Sequence, residues 1–435
     1  RTGTVDWITT PKVTGDSPVT AVSGKGYFLN TTSGTITINL PAGSAGDIVS
    51  MADYAATWHT YNVTVTPNGA DKIGAIAQNA TLSTEGQSVT FVYVDGVQGW
   101  VNTMDSTSNV RGTPPYLQAT GGNTVGTCGN YKYHVFTAPG TFCVSQLSPT
   151  PANNAVDYLV VAGGGGTAAN SPGPSPTTRR SGGAGAGGYR EGKNPASPHT
   201  ASPLAATSGL TVTASPYPIT VGAGGAADAN GCSSVFDSIT SAGGGVSGGY
   251  GNPQGTGGNN GGSGGGGGAS ETSPAAGGNG NQPPVSPPQG NNGGAGNPPG
   301  ANSSGGGGGA TGAGVTGGPL GSSCIGTGGA GAGTGIIDGP DSTSFGTPGP
   351  SGPLRYFAGG GGGGIEGPLA SYPNPSGGVG GGGQGGKPAG ATPSPPFDPK
   401  DGTVNTGGGG GGVQCTSQGT TTGGSGIVII RYRYQ

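Results

Sequence analysis

The sequence predicts an all-β protein. A β-sandwich-like domain occupies residues 1–108, a joint follows at 109–130, and a glycine-rich domain at 131–435 combines β-strands with packed polyglycine II-type helices. Three observations carry this. Apolar residues alternate in short runs bounded by Gly, Pro, Asn and Asp, which is the signature of half-buried strands. No window of ten or more residues carries a helical stripe. The 435 residues include 105 glycines and 38 prolines, concentrated beyond the first hundred positions.

In the first domain, "TSGTITINLP" (32–41) places Ile36, Ile38 and Leu40 on one face, and "NVTVTP" (62–67) does the same with Val63 and Val65. "QSVTFVYVDGVQGWVN" (87–102) reads as two strands joined by a short glycine-bearing loop. "SMADYAATWH" (50–59) has room for a single helical turn. The opening "RTGTVDWITTPKVTG" alternates Val5 and Trp7 in one short strand within residues 1–14. It fits either an edge strand of its own domain or an arm donated to a neighbouring subunit's sheet, with Val5 and Trp7 as the assembly residues.

Beyond the joint, "YKYHVFTAPGTFCV" (131–144) reads as a hairpin turning at "APG". "VDYLVVAGGGG" (156–166), "YPITVGAGG" (217–225), "SSVFDSITSAGGG" (233–245) and "GIVIIRYRY" (426–434) supply further strands, three of which run directly into glycine. The glycine is therefore continuous with a β framework. Between Gly251 and Gly426 aromatic residues are too few for an ordinary apolar core, yet buried amides and carbonyls must find partners. Collagen needs glycine at every third position, and tracts such as 305–309 and 359–364 break that rule. Extended helices with three residues per turn remain. Without Cβ atoms they lie close enough to hydrogen-bond to one another.

Charge limits the function classes. Only 8% of residues are charged and the net charge is −3, whereas disordered chains of this kind are normally kept solvated by charge. There is no basic excess for nucleic acid, and no run approaches the ~20 apolar residues that span a bilayer. The chain opens on Arg1, which leaves room for further residues or a leader ahead of it.

Little in the sequence suggests chemistry. "GGSGG" around Ser263 has the spacing of a nucleophile elbow without a strand before it or a helix after it. "GQGGKP" (383–388) approaches a phosphate loop, but Pro388 stands where Ser or Thr is required. His59, His134 and His199 lie in unrelated segments, and Asp47, Asp53 and Asp71 lack the spacing of a calcium loop. No metal or cofactor is expected, and an enzyme is not. Asn30, Asn62, Asn79 and Asn302 head glycosylation sequons that chance explains in a chain this rich in Asn, Ser and Thr. Of the five cysteines, Cys128 and Cys143 flank the expected hairpin and are the candidate disulfide, although pairing about "APG" sets Cys143 opposite His134. Cys232, Cys324 and Cys415 match no zinc spacing.

The stretches "VDYLVVAGGGG…GGAGAGGYRE", "YPITVGAGG", "FDSITSAGGG" and "GSGIVIIRYRY" resemble the glycine-rich domain of tail-fibre and virion structural proteins of cyanophage-like bacteriophages. The front section, with "VDWITTPKVTG" and "GKGYFLNTTSGTITINLPAGSAGDIVSMADYA", is similar to such proteins too. The polyglycine tracts resemble the distal adhesins of some phage long tail fibres. That resemblance implies a non-enzymatic, extracellular, self-associating fibre protein that displays its glycine-rich domain. It also implies surface loops that meet a host glycan or outer-membrane protein. A closed, trimeric fibre is one form of assembly. An open pilus-like filament built by strand donation is the other, since a heterologous contact that does not close makes a filament.

Overall fold

A computed structural model describes residues 5–106, 116–168, 180–250, 255–269, 273–297, 303–318, 325–338, 340–365, 375–387, 398–414 and 419–435. The chain divides into two compact units, Arg1–Gly112 and Thr113–Gln435. The second begins earlier than the expected joint allows, because strands near residues 118 and 124 pair inside it.

The first unit holds β1 (Asp6–Val13), β2 (Val19–Thr20), β3 (Lys25–Asn30), β4 (Ile36–Asn39), β5 (Ile48–Asp53), β6 (Val63–Thr66), β7 (Ala80–Leu82), β8 (Ser88–Asp95) and β9 (Gly99–Ser106). They form two sheets, ordered β1-β3-β5-β8-β9 and β2-β4-β6-β7. The first six strands alternate between the sheets, and each runs parallel to its predecessor in the same sheet. The chain thus coils around one core before β7, β8 and β9 pair antiparallel. Alternation supplies the core as expected: Ile36, Ile38, Val63 and Val65 from one sheet meet Leu29, Val49 and Met51 from the other, around Trp58 and Trp100. The Asp53 carboxylate accepts from the amides of Thr57, Trp58 and Gly86. The single turn expected in 50–59 falls at Thr57–Tyr61, after β5 has used the earlier residues.

The second unit is built on β10 (Gln118–Thr120), β11 (Thr124–Cys128), β12 (Tyr131–Phe136), β13 (Gly140–Gln146), β14 (Ala155–Val161), β15 (Tyr189–Gly192), β16 (Ala205–Ala206), β17 (Leu210–Thr211), β18 (Pro216–Thr220), β19 (Ser234–Phe236) and β20 (Ile239–Ser241). The short pair β21 (Ala332–Thr334) and β22 (Arg355–Phe357) follows, and then β23 (Ile427–Arg433). One sheet runs β11-β12-β23-β14-β15-β16, with β17 on β14, and another runs β10-β13-β18-β19-β20. The C-terminal strand is central to the first, between β12 and β14.

That placement explains the near-continuous apolar run at 427–430, since both faces of β23 are covered. Val428, Ile430 and Tyr432 face a core with Phe142, Phe236 and Tyr217 of the other sheet. Ile427 and Ile429 face a second cluster with Leu159, Ile336, Ile337 and Phe357. The glycine-rich part therefore does contribute to an apolar core, through a few residues that dock on the sheet.

The hairpin expected at 131–144 does not form. β12 pairs with β11 and β23, while β13 pairs with β10 and β18, so the "APG" segment crosses from one sheet to the other. The true hairpin is β11–β12, turning at Gly129 with φ of 54°.

Candidate functional site

The feature that sets this molecule apart is the array of glycine tracts, and its hydrogen bonds have a period of three. In the tract Gly359–Gly364, Gly359 and Gly362 donate to Gly380 and Gly383, Gly360 and Gly363 to Gly329 and Gly326, and Gly361 and Gly364 to Ala184 and Ser181, all at 2.8–3.0 Å. Successive amides thus point to three different neighbours, whereas a β-strand bonds only within the plane of its sheet. The tract 181–188 repeats the pattern. Gly182, Gly185 and Gly188 donate to Gly248, Gly245 and Ala242. Gly183 and Ala186 donate to Gly305 and Gly308, and Ala184 and Gly187 to Gly410 and Gly407. It also accepts bonds from Gly165, Ser263, Gly266, Gly361 and Gly364. Six tracts therefore surround it, and it is buried from end to end.

Close approach dictates the residue type. A methyl group on Gly183 would sit inside the carbonyl of Gly361, and one on Gly361 inside that of Gly410. These obstacles are backbone, so nothing can swing aside. At the margin of the array asparagine side chains replace missing tracts, as amides of the same chemistry. Asn260 and Asn292 accept from the backbone amides of Asn279 and Gly280, and Asn230 accepts from Val246. Asn291 donates to the carbonyls of Gly309 and Ala310.

The bundle has two unlike ends. At one, the tracts run into β14, β15, β22 and β23, where Ala162 bonds Gly188 and Gly426 bonds Gly222. At the other, Thr167 bonds Thr421, Ser181 bonds Val413, Gly249 bonds Thr256, Gly317 bonds Ala295, Ile365 bonds Gly386 and Gly385 bonds Pro375. The described residues that flank 169–179, 251–254, 270–272, 298–302, 319–324, 366–374, 388–397 and 415–418 end their tracts on that far side.

Where bundle meets sheet, a buried polar junction locks them together. The Glu191 carboxylate accepts from Tyr189 Oη at 2.7 Å, Thr334 Oγ1 at 2.7 Å and the Ser202 amide at 3.0 Å. Burial pushes its pKa up, but hydrogen bonds from its neighbours outweigh that and leave it lowered. His199 is fully buried between Asp157 (Nδ1 to Oδ2, 3.5 Å) and Glu191 (Nε2 to Oε1, 3.8 Å), with Ser197 Oγ at 3.0 Å from Nδ1. Burial raises the pKa of Asp157 and holds that of Tyr189 well above the phenol range. Arg431 donates to Ile336 O and Asp338 Oδ1 and lies over the Tyr131 ring. The Cys128 thiol, raised by burial and by Asp338, lies beside them.

The structure gives the N-terminal segment as an edge strand of its own domain, the first of its two expected forms. β1 pairs along its length with β3 of its own chain, and Trp7 packs on Phe28 with ring centroids 4.9 Å apart. Val5, half-buried, precedes that strand. The arm does have something to bury against, because Gly26 offers Trp7 a bare platform. The disulfide is corrected: Cys128 and Cys143 are free thiols in strands of different sheets. Cys232 is free as well, while Cys324 and Cys415 lie outside the described residues.

The remaining candidates sit in separate surroundings. Ser263 is buried inside a tract, and its hydroxyl makes no hydrogen bond. Lys387 is buried, and Pro388 lies outside the described residues. His134 stacks on Tyr432 and bonds Gly121 O and Tyr432 Oη, and burial lowers its pKa. His59 is exposed, 3.9 Å from Glu85. Asp47 and Asp71 accept from amides in turns. Asn30 accepts from Thr32, Asn62 and Asn79 are exposed, and Asn302 is not described. Among the described residues no cluster of His, Cys, Asp and Glu is arranged to hold a metal, and no helix is long and apolar enough to cross a membrane.

Two comparisons bear on this arrangement. The chain is 35% identical over 78 residues to the baseplate wedge protein gp10 of Enterobacteria phage T4, a match that covers 17% of this chain and 13% of that protein. The profile of the glycine-rich domain matches residues 137–433, from just after β12 to the end of β23, and takes in all the tracts. On that extent of agreement, the chain belongs to the glycine-rich domain family.

Proposed function

We propose that the chain is a non-enzymatic structural protein of a phage virion, part of an extracellular fibre or spike, with no cofactor. The observation that carries this reading is the bundle whose tract ends, flanking eight connections in the sequence, gather on the side remote from the sheets. The tracts are read as packed polyglycine II-type helices, which make a stiff rod without side-chain bulk. Loops positioned by a rigid scaffold are where binding function concentrates. The connections are rich in Pro, Ser, Thr and Asn, and in this reading they meet a host-surface glycan or outer-membrane protein. The first unit serves attachment and self-association into a closed homo-oligomer such as a trimer. Similarity to a baseplate protein supports a virion setting.

An open filament assembled by strand donation through Val5 and Trp7 is the second reading, favoured by the place of β1 at the edge of its sheet. Gold-labelled antibody against residues 169–179 tests the first reading. Label at the distal ends of fibres on intact particles is expected, and a chain absent from purified particles overturns it. Light scattering should give one defined stoichiometry. A continuous ladder of sizes would favour the filament.

A further inference from the structure

Beside the buried junction a cavity of about 300 Å³ opens at the sheet end of the second unit. That is the lower end of the range for small-ligand sites. Pro198, Ile337, Pro353 and Leu354 give it apolar walls, and Asp338, Ser342 and Thr200 bring polar groups to it. His199 also lines it, with its Nε2 facing Glu191 Oε1 at 3.8 Å.

We propose that this cavity is a binding site for one neutral sugar ring. The lining matches the two kinds of surface such a ring presents: carbon–hydrogen faces for the aliphatic walls, and hydroxyls for the carboxylate and the side-chain hydroxyls. Charge argues against other small ligands. Asp338 is 43% exposed but already neutralised by Arg431 at 2.8 Å, so a cation finds no free counter-charge. Arg431 is likewise committed to Ile336 O and Asp338, so an anion finds no free donor there.

Gly335 supplies an independent observation. Tract glycines such as Gly183 are forced by contact with a neighbouring carbonyl, but a Cβ on Gly335 would meet nothing nearer than Thr200 O at 3.5 Å and Leu354 Cδ2 at 3.6 Å. Its backbone is not in the left-handed region either. Neither packing nor conformation requires a glycine here, and its effect is to keep the cavity open.

The site lies at the sheet end, apart from the connections to which the display role is assigned, so neither it nor the binding test rests on that role. The full chain is titrated with D-glucose, D-galactose, D-mannose, L-rhamnose and N-acetyl-D-glucosamine, read by saturation-transfer NMR and calorimetry, with n-butylammonium as the cationic control. At least one sugar is expected to saturate. Ser342→Ala should weaken it about tenfold through loss of one hydrogen bond, and Gly335→Leu should abolish it without lowering Tm. If Gly335→Leu unfolds the unit, Gly335→Ala takes its place, with weakened binding expected at unchanged Tm. No saturation by any sugar, binding unaffected by the Gly335 variants, or saturation by n-butylammonium alone would overturn the assignment. Sugar binding can fail while the chain remains on particles, which separates this inference from the structural role.

Discussion

Trp7 lies across the bare α-carbon of Gly26, its partner on the neighbouring parallel strand, so closely that a Cβ there would come within 2.5 Å of Trp7 Cδ2. The indole gains its contact from the missing side chain of its partner and from Phe28 beyond it. Gly26→Ala should therefore evict the ring and destabilise the first unit by about 1–3 kcal/mol, as overpacking does. Trp7→Ala should fall below the ~3–5 kcal/mol of a fully buried aromatic, because the residue is 39% exposed. Denaturant melts of residues 1–112 check both values. Loss of oligomerisation at unchanged stability would mark Trp7 as an assembly residue.

Glycines inside the bundle and glycines beside open space should respond differently to one methyl group. Gly183→Ala drives Cβ into the Gly361 carbonyl. It should destabilise the second unit by at least the ~1–3 kcal/mol of an overpacked core. Gly335→Ala should leave Tm unchanged or slightly raised, since it also restricts the unfolded chain. Equal effects at the two positions would contradict the tract geometry.

Glu191 links three segments through the bonds it accepts. Glu191→Gln replaces one acceptor oxygen with a donor that faces hydroxyl and amide donors, and should destabilise the second unit by about 1–3 kcal/mol. The pKa of the carboxylate is lowered in the folded state, so its contribution is present above the unfolded value near ~4.3. It is lost as pH falls through the folded pKa. Wild type should therefore lose more stability than the variant below about pH 4.3.

His134 sets a second pH dependence at higher pH. Burial lowers its pKa, with Lys132 adding to the effect and the bond to Gly121 O opposing it. The folded state thus favours the neutral imidazole, and the unfolded chain binds the extra proton. Stability should be complete above the unfolded value of ~6.5 and decline as pH falls from there toward the folded pKa. His134→Gln should flatten the slope of Tm against pH below about 6.5, whatever it does to Tm itself. An unchanged slope would exclude His134 as the source.

Much of the framework was legible because period-two alternation is a local property. It located β4, β6, β8, β9, β14 and β23 from their apolar faces alone. Pairing is a different matter. β12 and β13 are adjacent in sequence and separated by turn residues, yet each finds better partners far along the chain. Cys128 and Cys143 are parted for the same reason, in strands of different sheets. The junction of Asp157, Glu191 and His199 comes from three segments with no diagnostic spacing. One signal was present: alternation in 155–161 puts Asp157 on the same face as Leu159 and Val161. A charge on a buried face needs a partner, so its presence there pointed to a buried polar contact.

The three-residue period gives the tracts a phase. Adding or removing one residue turns every later amide by about a third of a turn, away from its own neighbour and toward the next one. Changes in tract length by three preserve the pairing; changes by one or two scramble it as far as the next connection. Such a chain tolerates duplication and loss in triplets of glycine-bearing residues, with errors absorbed where the tracts end. Natural variation in length should therefore fall at the far-side connections or come in threes within the tracts, so that the loops can diversify while the rod keeps its register.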